Sequence, residues 1–152
     1  MSTSSKAYKL IIFDLDGTLT PSRESSAAPF ERRLLPGVKE KCEELREQGA
    51  ILAVATNQKQ LFNNDKLMRQ FAEIRLWLQD ELGIFDLDWE NGSRMKPHPS
   101  MIFNLVSLLG KLLSETLMVG DSTDDQEAAA NAGVDFEWAK DFFGWEQDEE
   151  AN

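Results

Sequence analysis

The stretch Tyr8-Lys9-Leu10-Ile11-Ile12-Phe13-Asp14-Leu15-Asp16-Gly17-Thr18 decides how the chain is read. Leu10 to Phe13 is an apolar run without helical spacing, and Tyr8 to Phe13 suits a strand buried on both faces. The run ends on two aspartates one residue apart, then a glycine and a threonine. Doubly buried strands belong to parallel sheets covered on both sides, and such open sheets bind ligands beyond the carboxyl ends of their strands. Asp14 and Asp16 therefore stand where chemistry is expected.

Working outward, Pro21 to Pro36 mixes proline, serine and charged residues and reads as a long surface loop, a feature that compact domains often use functionally. Arg23, Arg32 and Arg33 lie in or near it, either as ordinary exposed arginines or as contacts for an anionic substrate. Residues 37–48 predict a helix with Val38, Cys42 and Leu45 on one face and Gly49 as its stop. Ala50 to Ala55 is a second buried-strand run that closes on Thr56 and Asn57. An amphipathic helix over 66–82 shows Leu67, Phe71, Ile74 and Leu78 on its face and ends at Gly83. A third strand follows over 84–89 and a third helix over 99–109. A fourth strand covers 116–119, a fourth helix 124–132 with Asp124 as its expected cap, and a fifth strand 134–138. Strands alternate with helices throughout, which predicts a three-layer α/β, Rossmann-like fold around a central parallel sheet. No repeat or boundary interrupts it, so residues 1–152 are expected to form one domain, with 1–6 and 146–152 as flexible ends.

Composition narrows the function classes. Hydrophobic residues make up 41% of the 152, enough for a packed core. No apolar run reaches membrane-spanning length. The single cysteine, Cys42, excludes an internal disulfide, and with His98 it is too little for a Cys/His zinc site, so a cytoplasmic location is expected. The net charge of −11 argues against non-specific nucleic-acid binding, although a bound divalent cation can still create a local phosphate site. Part of that charge sits in the run Glu146 to Glu150, which reads as a solvated tail. Cys42 itself is expected in the core, His98 in a structural place between two prolines, and the Phe142-Phe143-Gly144-Trp145 cluster as an anchor over the sheet, or else as a pocket wall or dimer contact.

Four loops at strand ends bring together Asp14, Asp16, Thr56, Asn57, Lys96 and Asp121. Crowded carboxylates raise one another's pKa unless a cation neutralises them, and oxygen-only ligands favour a hard ion such as Mg²⁺. Asp14 and Asp121 are the expected side-chain ligands, with Asp125 nearby. Asp14 is then the nucleophile that forms an acyl phosphate, and Asp16 the acid and base for the leaving oxygen and the hydrolytic water. Thr56 Oγ, the Asn57 backbone N–H and Lys96 are placed to stabilise phosphoryl oxygens, while Gly17 and Gly120 permit close approach of the backbone.

These segments closely resemble the haloacid dehalogenase superfamily from Lys9 to about Trp138, with its four motifs in order. They are Phe13-Asp14-Leu15-Asp16-Gly17-Thr18-Leu19-Thr20, Ala55-Thr56-Asn57-Gln58, Lys96-Pro97-His98-Pro99, and Val119-Gly120-Asp121-Ser122-Thr123-Asp124-Asp125. The second and third are similar to the capless, subclass III type that includes histidinol-phosphate, heptose-bisphosphate and polynucleotide 3′-phosphatases. The resemblance implies Mg²⁺ held by Asp14, the Asp16 backbone carbonyl and Asp121, with Asp125 in support. It also implies phosphatase or phosphotransferase chemistry. The chain departs from the heptose and histidinol enzymes in having no cysteine loop before Lys96, which counts against those two substrates. Neither intervening stretch leaves room for a cap domain. The expected activity is hydrolysis of a phosphorylated metabolite or nucleotide. Two alternatives are a nucleic-acid 3′-phosphatase, disfavoured by charge, and a non-catalytic binding protein that keeps the fold.

Overall fold

A computed structural model describes residues 6–145 of the chain. Strand β1 (Leu10–Phe13) is buried along its whole length and pairs in parallel with β2 (Ile51–Asn57) on one side and β4 (Thr116–Gly120) on the other. Strand β3 (Asp86–Glu90) adds to β2, and β5 (Asp135–Trp138) adds to β4, giving the order β3-β2-β1-β4-β5. Phe13, the last residue of β1, is level with both Val54 and Val119, while β4 runs one residue further and β2 three. The order reverses direction at β1, and the crevice at that reversal opens at the carboxyl ends of β1 and β4.

Alternation along the strands divides the core in two. Ile11, Phe13, Leu52, Val54, Leu117 and Val119 point to one side and pack with α1 (Val38–Glu47) and α2 (Asp65–Leu82). Leu10, Ile12, Ala53, Ala55 and Met118 point to the other, beneath α3 (Ser100–Leu108) and α4 (Thr123–Ala132). Both sides of the sheet are thereby dry, as the continuous apolar runs in the sequence require. The expected strands and helices are all present, with ends displaced by a residue or two. Residues 61–63 and 113–115 form short 3₁₀ turns, and a five-residue helix, α5 (Ala139–Phe143), follows β5. The sequence reading had none of these three, because their periods are too short to register.

The long loop expected before α1 is present: residues 21–37 carry no helix or strand. The aromatic cluster at 142–145 anchors the end of the described chain in the core. Phe142 and Phe143 lie 5.9 and 6.0 Å from Phe13, and Trp145 stacks on Phe143 at 5.3 Å while its indole N–H donates to the Pro36 carbonyl at 2.7 Å. Cys42 is fully buried, and His98 Nδ1 accepts from the Ser100 backbone N–H at 3.1 Å at the start of α3. The expectations for residues 1–5 and for the acidic run 146–150 lie outside the described residues. Among those described, no helix is long and apolar enough to cross a membrane.

Candidate active site

Asp14 is the first residue beyond β1, and its backbone N–H donates to the Val119 carbonyl at 3.0 Å, which ties the end of β1 to β4. The chain then folds into a tight turn in which the N–H groups of Thr18, Leu19 and Thr20 all converge on the Leu15 carbonyl. Gly17 makes this turn possible, with φ at +82°, a conformation that disfavours side chains. A Cβ on Gly17 would stand 2.1 Å from Asp121 Oδ2, so the turn is pressed directly against the Asp121 carboxylate. Gly120 is constrained the same way, since a Cβ there would meet Asp125 Oδ2 at 2.3 Å.

Lys96 lies at the centre. Its ammonium donates to Asp14 Oδ1 at 2.9 Å, to Asp125 Oδ1 at 2.7 Å and to the Ala55 carbonyl at 2.6 Å, so all three of its protons have partners. Burial works against its charge, but the Asp14 and Asp125 carboxylates outweigh burial and hold its pKa above the ordinary lysine value. The loop that delivers it is clamped by Asn57, whose side chain accepts from the Lys96 N–H at 2.8 Å and donates to the Lys96 carbonyl at 3.0 Å. That clamp assigns the Asn57 side chain a structural task that the sequence reading, concerned with its backbone N–H, had not foreseen.

Asp125 is enclosed. Its Oδ2 accepts from the N–H of Asp121 and Ser122 and from the Ser122 hydroxyl at 3.0–3.2 Å, while Oδ1 takes Lys96. The Ser122 oxygen in turn accepts from the Asp125 N–H, so Ser122, not the expected Asp124, caps α4. Its β-region backbone is already placed for the task, whereas Asp124 is the second residue of the helix itself. Only 2% of the Asp125 side chain is exposed, against 13% for Asp14. Of the two carboxylates on Lys96, Asp14 is thus the one a substrate can reach.

Asp14, Asp121 and Asp125 each present a carboxylate oxygen within 4.8 Å of the others. Burial, and next the Asp125 charge, hold the Asp14 carboxyl well above the ordinary range; Lys96 opposes the rise and Asp121 adds to it. Three carboxylates around one ammonium leave a local negative excess, and the donors turned to one another are all oxygens. That donor set, pressed against the glycine turn at residue 17, fits a hard divalent cation such as Mg²⁺.

Asp16 has a different set of partners from Asp14. Its carboxylate forms a two-point pair with Arg23 at 3.1 and 3.2 Å and accepts from Gln58 Nε2 at 2.9 Å, and Gln58 Nε2 also lies 3.0 Å from Thr56 Oγ1. The Arg23 side chain is only 7% exposed, which corrects its reading as an ordinary exposed loop arginine; Arg33 does stay on the surface, beside Glu31. Gln58 stood in the sequence as part of a motif without a task. The structure therefore gathers Asp14, Asp121, Asp125 and Lys96 into one cluster and sets Asp16 and Thr56 beside it through Gln58. A cleft of about 440 Å³ adjoins the cluster, lined by Asp121, Trp138, Lys140 and Trp145.

The family model for haloacid dehalogenase-like hydrolases matches residues 27–133, a stretch that includes Thr56, Asn57, Lys96, Asp121 and Asp125. The chain belongs to that family. A phosphoglycolate phosphatase from Mannheimia succiniciproducens is 38% identical over 101 residues, 66% of this chain; the chain spans 42% of that relative's length. A D-glycero-beta-D-manno-heptose-1,7-bisphosphate 7-phosphatase from Salmonella typhi is 27% identical over 147 residues, covering 85% of this chain and 78% of that one. Among solved structures, the D,D-heptose 1,7-bisphosphate phosphatase from B. bronchiseptica, complexed with magnesium and phosphate, is similar with a TM-score of 0.72 at 26% identity, over 84% of this chain and 78% of that one. A had-like phosphatase from Mesorhizobium loti shares the fold, with a TM-score of 0.69 at 21% identity over 85% of this chain and 70% of its own.

Proposed function

We propose that the protein is a one-domain, cytoplasmic, Mg²⁺-dependent phosphomonoester hydrolase of small phosphorylated molecules, working through an acyl phosphate on Asp14. The observation that carries this reading is the Lys96 ammonium held between Asp14 and Asp125, with Asp121 in the same cluster. A scaffold protein gains nothing from burying such a group of charges, since a buried ion pair is weak support for stability.

Asp14, the Asp16 backbone carbonyl and Asp121 would hold the ion. When bound, Mg²⁺ supplies positive charge that offsets the negative charge of the phosphoryl oxygens. The Asp14 carboxylate, the less buried of the two on Lys96, attacks phosphorus, and the bond from phosphorus to the ester oxygen breaks. Asp16 gives its proton to that departing oxygen. Asp16, now a carboxylate, takes a proton from water as the water oxygen attacks the phosphorus on Asp14. The bond between phosphorus and the Asp14 oxygen then breaks, inorganic phosphate leaves, and both aspartates return to their starting states. Lys96, Thr56 Oγ1 and the Asn57 backbone N–H steady the phosphoryl oxygens throughout. Asp125 holds Lys96 and the Asp121 turn in place.

The substrate we favour is a small phosphate ester. The names of the relatives suggest sugar or glycolate phosphates, but the missing cysteine loop counts against the heptose bisphosphate. A nucleic-acid 3′ end is set aside because a chain of net charge −11 repels a polyphosphate. The test is turnover of 4-nitrophenyl phosphate. Wild-type protein should be active with Mg²⁺, silent after chelation and active again on adding Mg²⁺ back. Asp14→Asn should lose at least about 10³-fold in kcat, the scale seen when a nucleophile is removed. An Asp14→Asn protein as active as wild type would sink the reading.

A further inference from the structure

Arg23 is a saturated side chain. A guanidinium has five N–H donors, and here each has an acceptor. Nε donates to Asp16 Oδ1 at 3.1 Å. Nη1 donates to the carbonyls of Ser26 at 3.1 Å and Ala28 at 2.8 Å. Nη2 donates to Asp16 Oδ2 at 3.2 Å and to Gln58 Oε1. The guanidinium also lies over the Phe30 ring, 4.0 Å from its centroid. Phe30 is fixed in turn, by its N–H to Gln70 Oε1 at 3.3 Å and by its ring against Phe71 at 5.5 Å. The loop between β1 and α1 is thus fastened to α2 through Phe30, while Arg23 ties the same loop to Asp16 and Gln58. An arginine with every donor engaged has none left for an anionic substrate.

Gln58 completes the arrangement. It is 1% exposed, and its two ends engage different partners: Oε1 accepts from Arg23, while Nε2 reaches Asp16 Oδ2 at 2.9 Å and Thr56 Oγ1 at 3.0 Å. The Asp16 carboxylate has about four lone-pair positions. Arg23 and Gln58 fill both of those on Oδ2, and Arg23 fills one on Oδ1, which among the described residues leaves one position on Oδ1. The same glutamine touches the Thr56 hydroxyl.

We propose that Arg23 and Gln58 are the positioning residues of the reaction, a bracket that leaves Asp16 one lone-pair position, on Oδ1, for the travelling proton and registers it against Thr56. The proposal rests on the phosphatase reading given above. In this arrangement the proton leaves Asp16 Oδ1 for the ester oxygen as the phosphorus–oxygen bond breaks, and Oδ1 recovers a proton from the attacking water. The loop at 21–36 acts as the mount for the acid, a task distinct from covering the substrate. Arg23 touches neither reacting atom and acts only through Asp16.

The experiment measures kcat/KM, which reports the steps up to formation of the acyl phosphate on Asp14, for a series of aryl and alkyl phosphates of rising leaving-group pKa. A good leaving group departs without a proton; an alkoxide does not. Arg23→Lys keeps the charge but loses the two-point fork, and Gln58→Leu keeps the bulk but loses all three hydrogen bonds. Each variant should lose on the order of 10²-fold or more on alkyl phosphates, the usual worth of a general acid. On 2,4-dinitrophenyl phosphate the loss should stay below about 10-fold, so that the plot against leaving-group pKa steepens. A purely structural role would lower all substrates by one common factor, and parallel plots for a folded variant would overturn the proposal. Circular dichroism checks folding, and Gln58→Leu, which leaves the Arg23 loop contacts in place, carries the test should Arg23→Lys unfold. Parallel plots from an active wild type overturn the positioning role alone; a wild type silent on the whole series overturns the phosphatase reading and this proposal with it.

Discussion

Lys96 spends its three protons on Asp14, Asp125 and the Ala55 carbonyl, and Arg23 spends five on Asp16, Gln58 and two loop carbonyls. Both cations are buried because each is fully paired, which is the condition under which a buried charge persists. Cys42 shows the opposite case at the same scale, an ionisable group with no charged partner that compensates for burial. Burial pushes its thiol up to about 12, with Arg46 opposing and Glu43 adding to the rise. The unfolded chain has its thiol near 8.5, so the neutral form favours the folded state. That contribution is whole below about pH 8.5 and is lost as pH rises towards the folded value. At pH 8 the native protein should leave a disulfide-based thiol reagent unreacted, while urea-unfolded protein should release one equivalent of chromophore within minutes. Rapid native labelling would contradict the buried thiol.

At the scale of elements, two helices begin with the same device and serve different ends. Asn64 accepts from the Leu67 N–H at 3.0 Å at the start of α2, and Ser122 accepts from the Asp125 N–H at 3.2 Å at the start of α4. Loss of either cap should cost about 1 kcal/mol in urea unfolding. Their effects on turnover should separate. Asn64→Ala should leave kcat near the wild-type value, because α2 meets the site only through the loop it supports. Ser122→Ala should lower kcat as well, because the Ser122 hydroxyl also donates to Asp125, which holds Lys96. Equal activity in the two variants would separate the start of α4 from the chemistry. The helices themselves were legible, since Leu67, Phe71, Ile74 and Leu78 recur at helical spacing. The cap of α4 was misplaced by two residues because Ser122 and Asp124 are equally good cap types, and only backbone conformation chooses between them.

For the molecule as a whole, the sheet order brings residues far apart in number to one crevice, and the C-terminal aromatic cluster closes the side of the core facing α1. Trp145 is 8% exposed, stacks on Phe143 and bonds to Pro36, so it joins the end of the described chain to the loop leading into α1. Trp145→Ala should cost about 3–5 kcal/mol, the usual penalty for removing a buried tryptophan. Urea unfolding should show this as a large drop in the midpoint with little change in slope. A loss below about 1 kcal/mol would mean that the cluster is dispensable and only covers the surface.

What the sequence determined by itself was the strand-and-helix order and the identity of the acidic and basic groups at the strand ends. Apolar runs without helical spacing, amphipathic stretches with glycine stops and paired aspartates after a buried strand are all local signals. The bracket of Arg23 and Gln58 around Asp16, the Asn57 clamp on the Lys96 loop and the seat of Trp145 against Pro36 were decided only in three dimensions. Each joins residues 35, 39 and 109 positions apart. Hydrogen bonds across such distances leave no periodic trace in the chain, because they depend on where the sheet and its loops place each donor and acceptor.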